Sequence, residues 1–159
     1  MFIDVSNENK GEWFPFRMSH LDQNTGEIVW DAPMEGVKVQ IRSMKAFFEE
    51  RISKRERITE WKINPKSKAN EKHTNFKELS IAEVKAERDD AYDYAIVGLE
   101  GFKDKKTRKV IECTRENKLA LMSKDFFDRF FADCQQTLDT SSVELEEKIG
   151  KNSPSGQLL

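Results

Sequence analysis

The chain has 159 residues, 37% hydrophobic and 35% charged, with a formal net charge of -2. That length supports one domain with a modest core under a heavily charged surface, and the near-neutral balance argues against a protein built chiefly to hold nucleic acid. No apolar run approaches the ~20 residues of a membrane span, and Met1-Phe2-Ile3-Asp4-Val5 lacks the basic and apolar regions of a secretory signal, so the expected location is the cytoplasm.

Residues 1–12 are mostly polar and are expected to fray. The β-rich region spans 12–42. A strand-like run begins at Trp13-Phe14-Pro15-Phe16, turn residues follow at Asp22-Gln23-Asn24-Thr25-Gly26, and Glu27-Ile28-Val29-Trp30 returns as a second strand. Trp13, Phe14, Phe16 and Trp30 are expected to cluster on this hairpin. Val37-Lys38-Val39-Gln40-Ile41-Arg42 alternates with the period of a half-buried strand, so a three-stranded antiparallel sheet is the simplest product. Ser43 is placed to cap a helix over 44–57 with Met44, Phe47, Phe48 and Ile52 facing inward. Residues 62–78 are nearly all polar and read as a mobile loop.

The stretch from 80 to 138 carries the densest signals. Ser80-Ile81-Ala82-Glu83 is a capping box, with Leu79 and Val84 at the positions of a hydrophobic staple. The helix it opens is expected to reach about Val97 and to be stopped by Gly98 and Gly101. Residues 102–113 read as a hairpin around the polar Lys103-Asp104-Lys105-Lys106-Thr107, and Thr114 caps a short helix through Leu121 and Met122. Ser123 is the expected cap of a helix bearing Phe127, Phe130, Phe131, Cys134 and Leu138 at helical spacing, the strongest amphipathic pattern in the chain. Ser141 and Glu144 suggest one more short helix, and 151–159 a disordered tail. The expected architecture is α+β: one domain over 1–150, with an N-terminal antiparallel hairpin or three-stranded sheet against a mostly helical C-terminal half. There is no internal repeat.

Chemistry-bearing motifs are sparse. Gly150-Lys151 lacks the upstream glycine of a phosphate loop. Gly98-Leu99-Glu100-Gly101 has the spacing of a nucleic-acid clamp, but Glu100 inside it would repel phosphate. Cys113, Cys134, His20 and His73 show no ligand spacing, so no metal site and no cofactor are expected, and the thiols read as reduced and mostly buried. Glu87, Asp89, Asp90 and Asp93 share helix faces, for which a solvated surface is the commoner outcome than a divalent cation. Lysines and arginines between 51 and 68, with Trp61 as a stacking platform, make the best case for nucleic acid, but Glu56 and Glu60 cut that field. Phe126, Phe127, Phe130 and Phe131 cover more than one helix face. The commoner reading is that all are covered by neighbouring elements; the sharper one leaves part of them exposed for an apolar partner.

From Tyr92-Asp93-Tyr94-Ala95-Ile96-Val97-Gly98-Leu99-Glu100-Gly101 onward the chain resembles the tail assembly chaperones of long-tailed bacteriophages and prophages. These share a helix running into an apolar turn of the form V-x-W-x-G, a short hairpin, a Thr- or Ser-capped helix and a Phe-rich last helix. Here the parts are residues 96–101, 102–112, 113–122 and Phe126-Phe127-Asp128-Arg129-Phe130-Phe131. Leu99 stands where tryptophan is common, and Lys105-Lys106 where Asp-Gly is usual. The resemblance implies a non-enzymatic protein in the host cytoplasm, missing from the mature virion, that binds and solubilises the tape-measure protein during tail morphogenesis. The tail-tube protein is a further implied partner, and self-association is left open. Leu121, Met122, Phe126 and Phe131 are the expected contact patch. The competing readings are a virion subunit (head–tail connector or tail terminator) and a nucleic-acid-binding accessory protein.

Overall fold

The computed structural model describes residues 9–152, with side chains placed through residue 141. In chain order the elements are β1 (Glu12–Pro15), β2 (Ser19–Leu21), β3 (Ile28–Trp30), β4 (Lys38–Ile41), α1 (Lys45–Lys54), β5 (Arg57–Ile63), β6 (Asn70–Phe76), α2 (Ile81–Ala95), β7 (Ile96–Glu100), α3 (Arg115–Met122) and α4 (Asp125–Asn152). The class is α+β. The chain divides into two compact units. One takes the residues up to Met44 together with those from Tyr92 onward; the other is residues 45–91, so the division falls inside α2.

In the first unit an antiparallel sheet has the order β1-β4-β7. The third strand is therefore β7, not the expected run at 28–30, which pairs with β2 as a separate hairpin. The turn at Gly36 (φ 75°) brings β4 beside β1, and Phe16 extends that pairing by donating to the Val37 carbonyl at 2.9 Å. Alternation sends Val39 and Ile41 fully inside, and an irregularity in the register between Gln40 and Ile41 lets Ile96 join them. On the opposite face Trp13, Gln40 and Gly98 form one cross-strand row. The Trp13 ring lies over Gly98 so closely that a Cβ there would stand 2.7 Å from indole Cη2. Gly98 is thus a strand residue left bare for a tryptophan, not the helix stop that its position suggested.

The helix instead ends at Ala95, closed by side chains distant in sequence. The Lys118 ammonium donates to the Asp93 carbonyl (3.0 Å), Arg42 Nε to the Tyr94 carbonyl (2.6 Å) and the Arg42 amide to the Ala95 carbonyl (2.9 Å). Two cations at the negative end of the helix dipole satisfy carbonyls that a glycine motif would otherwise close. The chain then passes directly into β7.

The core is built on α4. Phe16 meets Phe102 at 5.1 Å, Phe126 at 6.2 Å, Phe127 at 6.1 Å and Phe130 at 5.0 Å between ring centroids, while Phe131 meets Tyr92 edge-on at 5.5 Å. Of the expected hairpin cluster, Phe16 alone joins these rings: Trp13 faces out and Trp30 carries the Arg17 guanidinium 4.9 Å above its ring. Thr114 caps α3 as expected, accepting from the Asn117 amide at 3.3 Å. Ser123 does not cap α4; its hydroxyl donates back to the Ala120 carbonyl at the end of α3. Nor does Ser141 begin a new helix, because α4 continues to Asn152. Residues 151 and 152 of the expected tail belong to α4, and residues 153–159, like residues 1–8, lie outside the described residues.

Three six-residue loops share one design. They run from Asp22 to Glu27, from Asn64 to Ala69 and from Asp104 to Lys109. In each, the first side chain accepts from the amides two and three residues on, the Thr or Ser hydroxyl accepts from the amide two further, and the fifth residue has positive φ: Gly26 at 73°, Lys68 at 55° and Arg108 at 57°. The amides of Thr107 and Lys106 hold the Asp104 carboxyl below its ordinary value. Asx side chains here substitute for backbone acceptors and set the reversal.

In the second unit the capping box forms as expected, with Ser80 N to Glu83 Oε1 at 3.3 Å and Glu83 N to Ser80 Oγ at 3.1 Å. Residues 62–78 are not a mobile loop: β6 pairs with β5 through seven residues from Arg57↔Phe76 to Ile63↔Asn70. No residue of α1 is fully buried; of the face expected to point inward, Met44, Phe47 and Phe48 are half-buried and Ile52 is exposed. Ser43, in the first unit, gives its hydroxyl to Asp139 at 2.9 Å, and the Met44 amide is accepted by Gln135 at 3.0 Å.

Gly98→Ala is expected to destabilise the chain by about 1–3 kcal/mol through forced displacement of Trp13, and to cost clearly less in a Trp13→Ala background. Urea unfolding of the two single variants and the double variant checks this.

Candidate partner-binding surfaces

The expected contact patch lies in the interior. Phe131 is 2% exposed and Met122 8%, while Leu121 and Phe126 are half-buried against the same cluster. Phe126 meets Phe16 and Phe131 meets Tyr92.

The exposed apolar side chains lie elsewhere. In the first unit they include Leu21, Ile28 and Val29 on the hairpin of β2 and β3. That hairpin is held to α4 by Arg129, whose Nε donates to Ser19 Oγ at 2.8 Å and whose NH2 donates to the Ser19 carbonyl at 3.0 Å. Arg17 adds an ion pair to Asp133 at 3.1 Å. In the second unit every residue of the ribbon β5–β6 is exposed, with Trp61 at 66% and Ile63 at 69%. Sequence reasoning flagged Trp61 but placed Ile63 and Phe76 within the expected mobile loop of residues 62–78.

The second unit also has a cleft of about 660 Å³ whose lining includes Phe47, Arg51, Arg55, Lys77, Glu83 and Glu87. Its cations are already matched. Arg55 donates to both Glu87 oxygens at 2.7 and 2.9 Å, Arg51 pairs with Asp90 at 3.0 Å, and Lys77 with Glu56 at 3.5 Å. Lys54, by hydrogen bond and charge, holds the Glu50 carboxyl below its ordinary value. With its cations paired, such a cleft offers a small anion no uncompensated charge. Three of the four carboxylates read from the sequence are paired in the same way: Glu87 and Asp90 as above, and Asp93 with Lys118 at 3.1 Å and Arg115 at 3.5 Å. Among the described residues, no three His, Cys, Asp or Glu side chains gather as a metal site, and no helix is long and apolar enough to cross a membrane.

Comparison with protein-family models, curated proteins and solved structures returns no match. The reading of this chain therefore rests on its own residues.

Both thiols are free, and neither is poised for chemistry. Burial pushes the Cys113 thiol up, and burial followed by the neighbouring Asp133 charge pushes Cys134 up to about 12. Neutral thiols are poor nucleophiles. The folded chain holds the Cys134 proton more tightly than the unfolded chain, whose thiol titrates near the ordinary 9.0. Its contribution is present below pH 9.0 and lost as pH rises toward about 12. Denaturation midpoints measured across that window should fall, and Cys134→Ala should flatten the decline.

Core and surface aromatics should separate sharply on mutation. Phe131→Ala is expected to cost about 3–5 kcal/mol, whereas Trp61→Ala should stay within about 0.5 kcal/mol. Chemical denaturation of the two variants measures both.

Proposed function

We propose that this chain is a tail assembly chaperone of a long-tailed bacteriophage or prophage: a non-enzymatic protein that binds and solubilises the tape-measure protein in the host cytoplasm. The observation that carries the reading is the block from Tyr92 to Phe131, whose order of parts is that of the family it resembles. Helix α2 runs into the apolar strand β7. A hairpin bridged at Lys103↔Val110 follows, then Thr114-capped α3, then the Phe-rich start of α4. The paired cations of the cleft and the neutral thiols favour binding by surface over chemistry at a site.

The contact surface differs from the one the resemblance implied. With Met122 and Phe131 in the core, the exposed apolar side chains of the hairpins take that role. An amphipathic helix left bare in water aggregates through its apolar stripe, and a small, highly charged protein that covers the stripe prevents this.

Co-expression with the tape-measure protein encoded beside this chain should raise the soluble fraction of that partner several-fold, read from supernatant and pellet on a gel. The protein should also be missing from purified particles. An unchanged soluble fraction, or a stoichiometric band in the particles, rejects the proposal.

A further inference from the structure

The two faces of the ribbon β5–β6 differ in chemistry. Directly paired residues share a face, so Arg57, Thr59, Trp61 and Ile63 lie on one side with Phe76, Thr74, Lys72 and Asn70 opposite them. The Thr59 and Thr74 hydroxyls, 3.4 Å apart, mark this side. Ile58, Glu60 and Lys62, with Asn75, His73 and Glu71, make up the other. Both ribbon carboxylates therefore fall on the second face, where each is engaged. Glu60 lies 3.7 Å from Lys62, and Glu71 lies 3.6 Å from His73 and accepts from Asn64 at 2.7 Å.

The first face carries Trp61, Ile63 and Phe76 beside Arg57 and Lys72, and no carboxylate. The Arg57 guanidinium stands 5.2 Å over the Phe76 ring, and among the described residues neither Arg57 nor Lys72 enters an ion pair. A large apolar group pressed on this face would bury Trp61 and Ile63. Carboxylates at its border would meet two unpaired cations, whereas lysines there would meet only repulsion.

We infer that the Trp61 face of this ribbon is a docking surface for an acidic, apolar-striped protein segment. The inference rests on the proposed function only in taking the partner to be a protein. A nucleic acid fits less well. Two cations would neutralise about two phosphates, and Ile63 supplies no stacking surface for a base. The exposed position of the face separates binding from folding, so substitutions on it report on docking alone.

The test uses the full chain and fluorescence anisotropy of three labelled probes: a Glu-Leu amphipathic peptide, its Lys-Leu counterpart and oligo(dT). The Glu-Leu peptide should bind saturably and the other two weakly. Trp61→Ala should abolish that binding. Arg57→Glu with Lys72→Glu should weaken it about tenfold, the effect of two exposed ion pairs, and should strengthen binding of the Lys-Leu peptide. Circular dichroism melts of both variants should match the parent. Equal affinity for the two peptides, retention of binding by Trp61→Ala, tighter binding of oligo(dT), or no binding at all overturns the inference. Co-expression separates the two claims. If the Trp61→Ala chain still solubilises the tape-measure protein, the chaperone reading stands and this surface falls. If the Glu-Leu peptide binds but co-expression has no effect, the surface stands and the chaperone reading falls.

Discussion

Phe16 is the point on which the first unit turns. It lies just beyond β1, is 2% exposed, and sits within ring-contact distance of four other phenylalanines, three of them on α4. Each such pair adds about 0.5–1.5 kcal/mol beyond its buried area, so the sheet and α4 are locked through one side chain. The same contact fixes the local chain direction: Phe16 donates to Val37 and accepts from Met34, which carries β1's pairing with β4 past Pro15. Arg17 and Ser19, the next residues, can then reach Asp133 and Arg129 on α4. One ring thus sets which part of α4 the sheet covers, with Phe127 and Phe130 on the covered side.

That constraint explains why Phe127, Phe130 and Phe131 at the start of α4 are covered by the chain itself. Phe127 and Phe130 face the Phe16 side, while Phe131 meets Tyr92 instead. An amphipathic pattern reports that a helix face is covered, but not by what. Whether the cover is another chain or a residue more than a hundred positions earlier is a tertiary fact. Of the four residues singled out from the sequence, Met122 and Phe131 are buried and Leu121 and Phe126 are half-buried.

Local signals were legible and distant ones were not. The capping box at Ser80 and the cap at Thr114 form within a few residues, and both are present as read. The end of α2 was misread because its acceptors are closed by Arg42 and Lys118, neither visible from the helix itself. Gly98 looked like a stop for want of the knowledge that Trp13 crosses it. The ribbon was missed for a different reason: a two-stranded element exposed on both faces needs no hydrophobic alternation, so Asn70–Phe76 carries no period-two pattern to find. Its turn could have been found, since Asn64 and Ser67 repeat the spacing of Asp22 and Thr25, and of Asp104 and Thr107.

A two-stranded ribbon is marginal in water without a covered face. This one is held at its tip by the Asn64 turn and at its base by Lys77 donating to the Glu56 carbonyl at 2.9 Å. Those bonds order the backbone but bury none of its apolar side chains. A core tryptophan would have been covered by the chain itself, as Phe16 is. Trp61 is left open on a face from which both carboxylates of the ribbon are excluded. Had the ribbon only to remain solvated, its charges could be distributed over either face at no cost. Placing Glu60 and Glu71 together on the far side, each with its own partner, leaves Arg57 and Lys72 unpaired around the indole. Solvation alone gives no reason for that asymmetry, whereas a negatively charged apolar partner does.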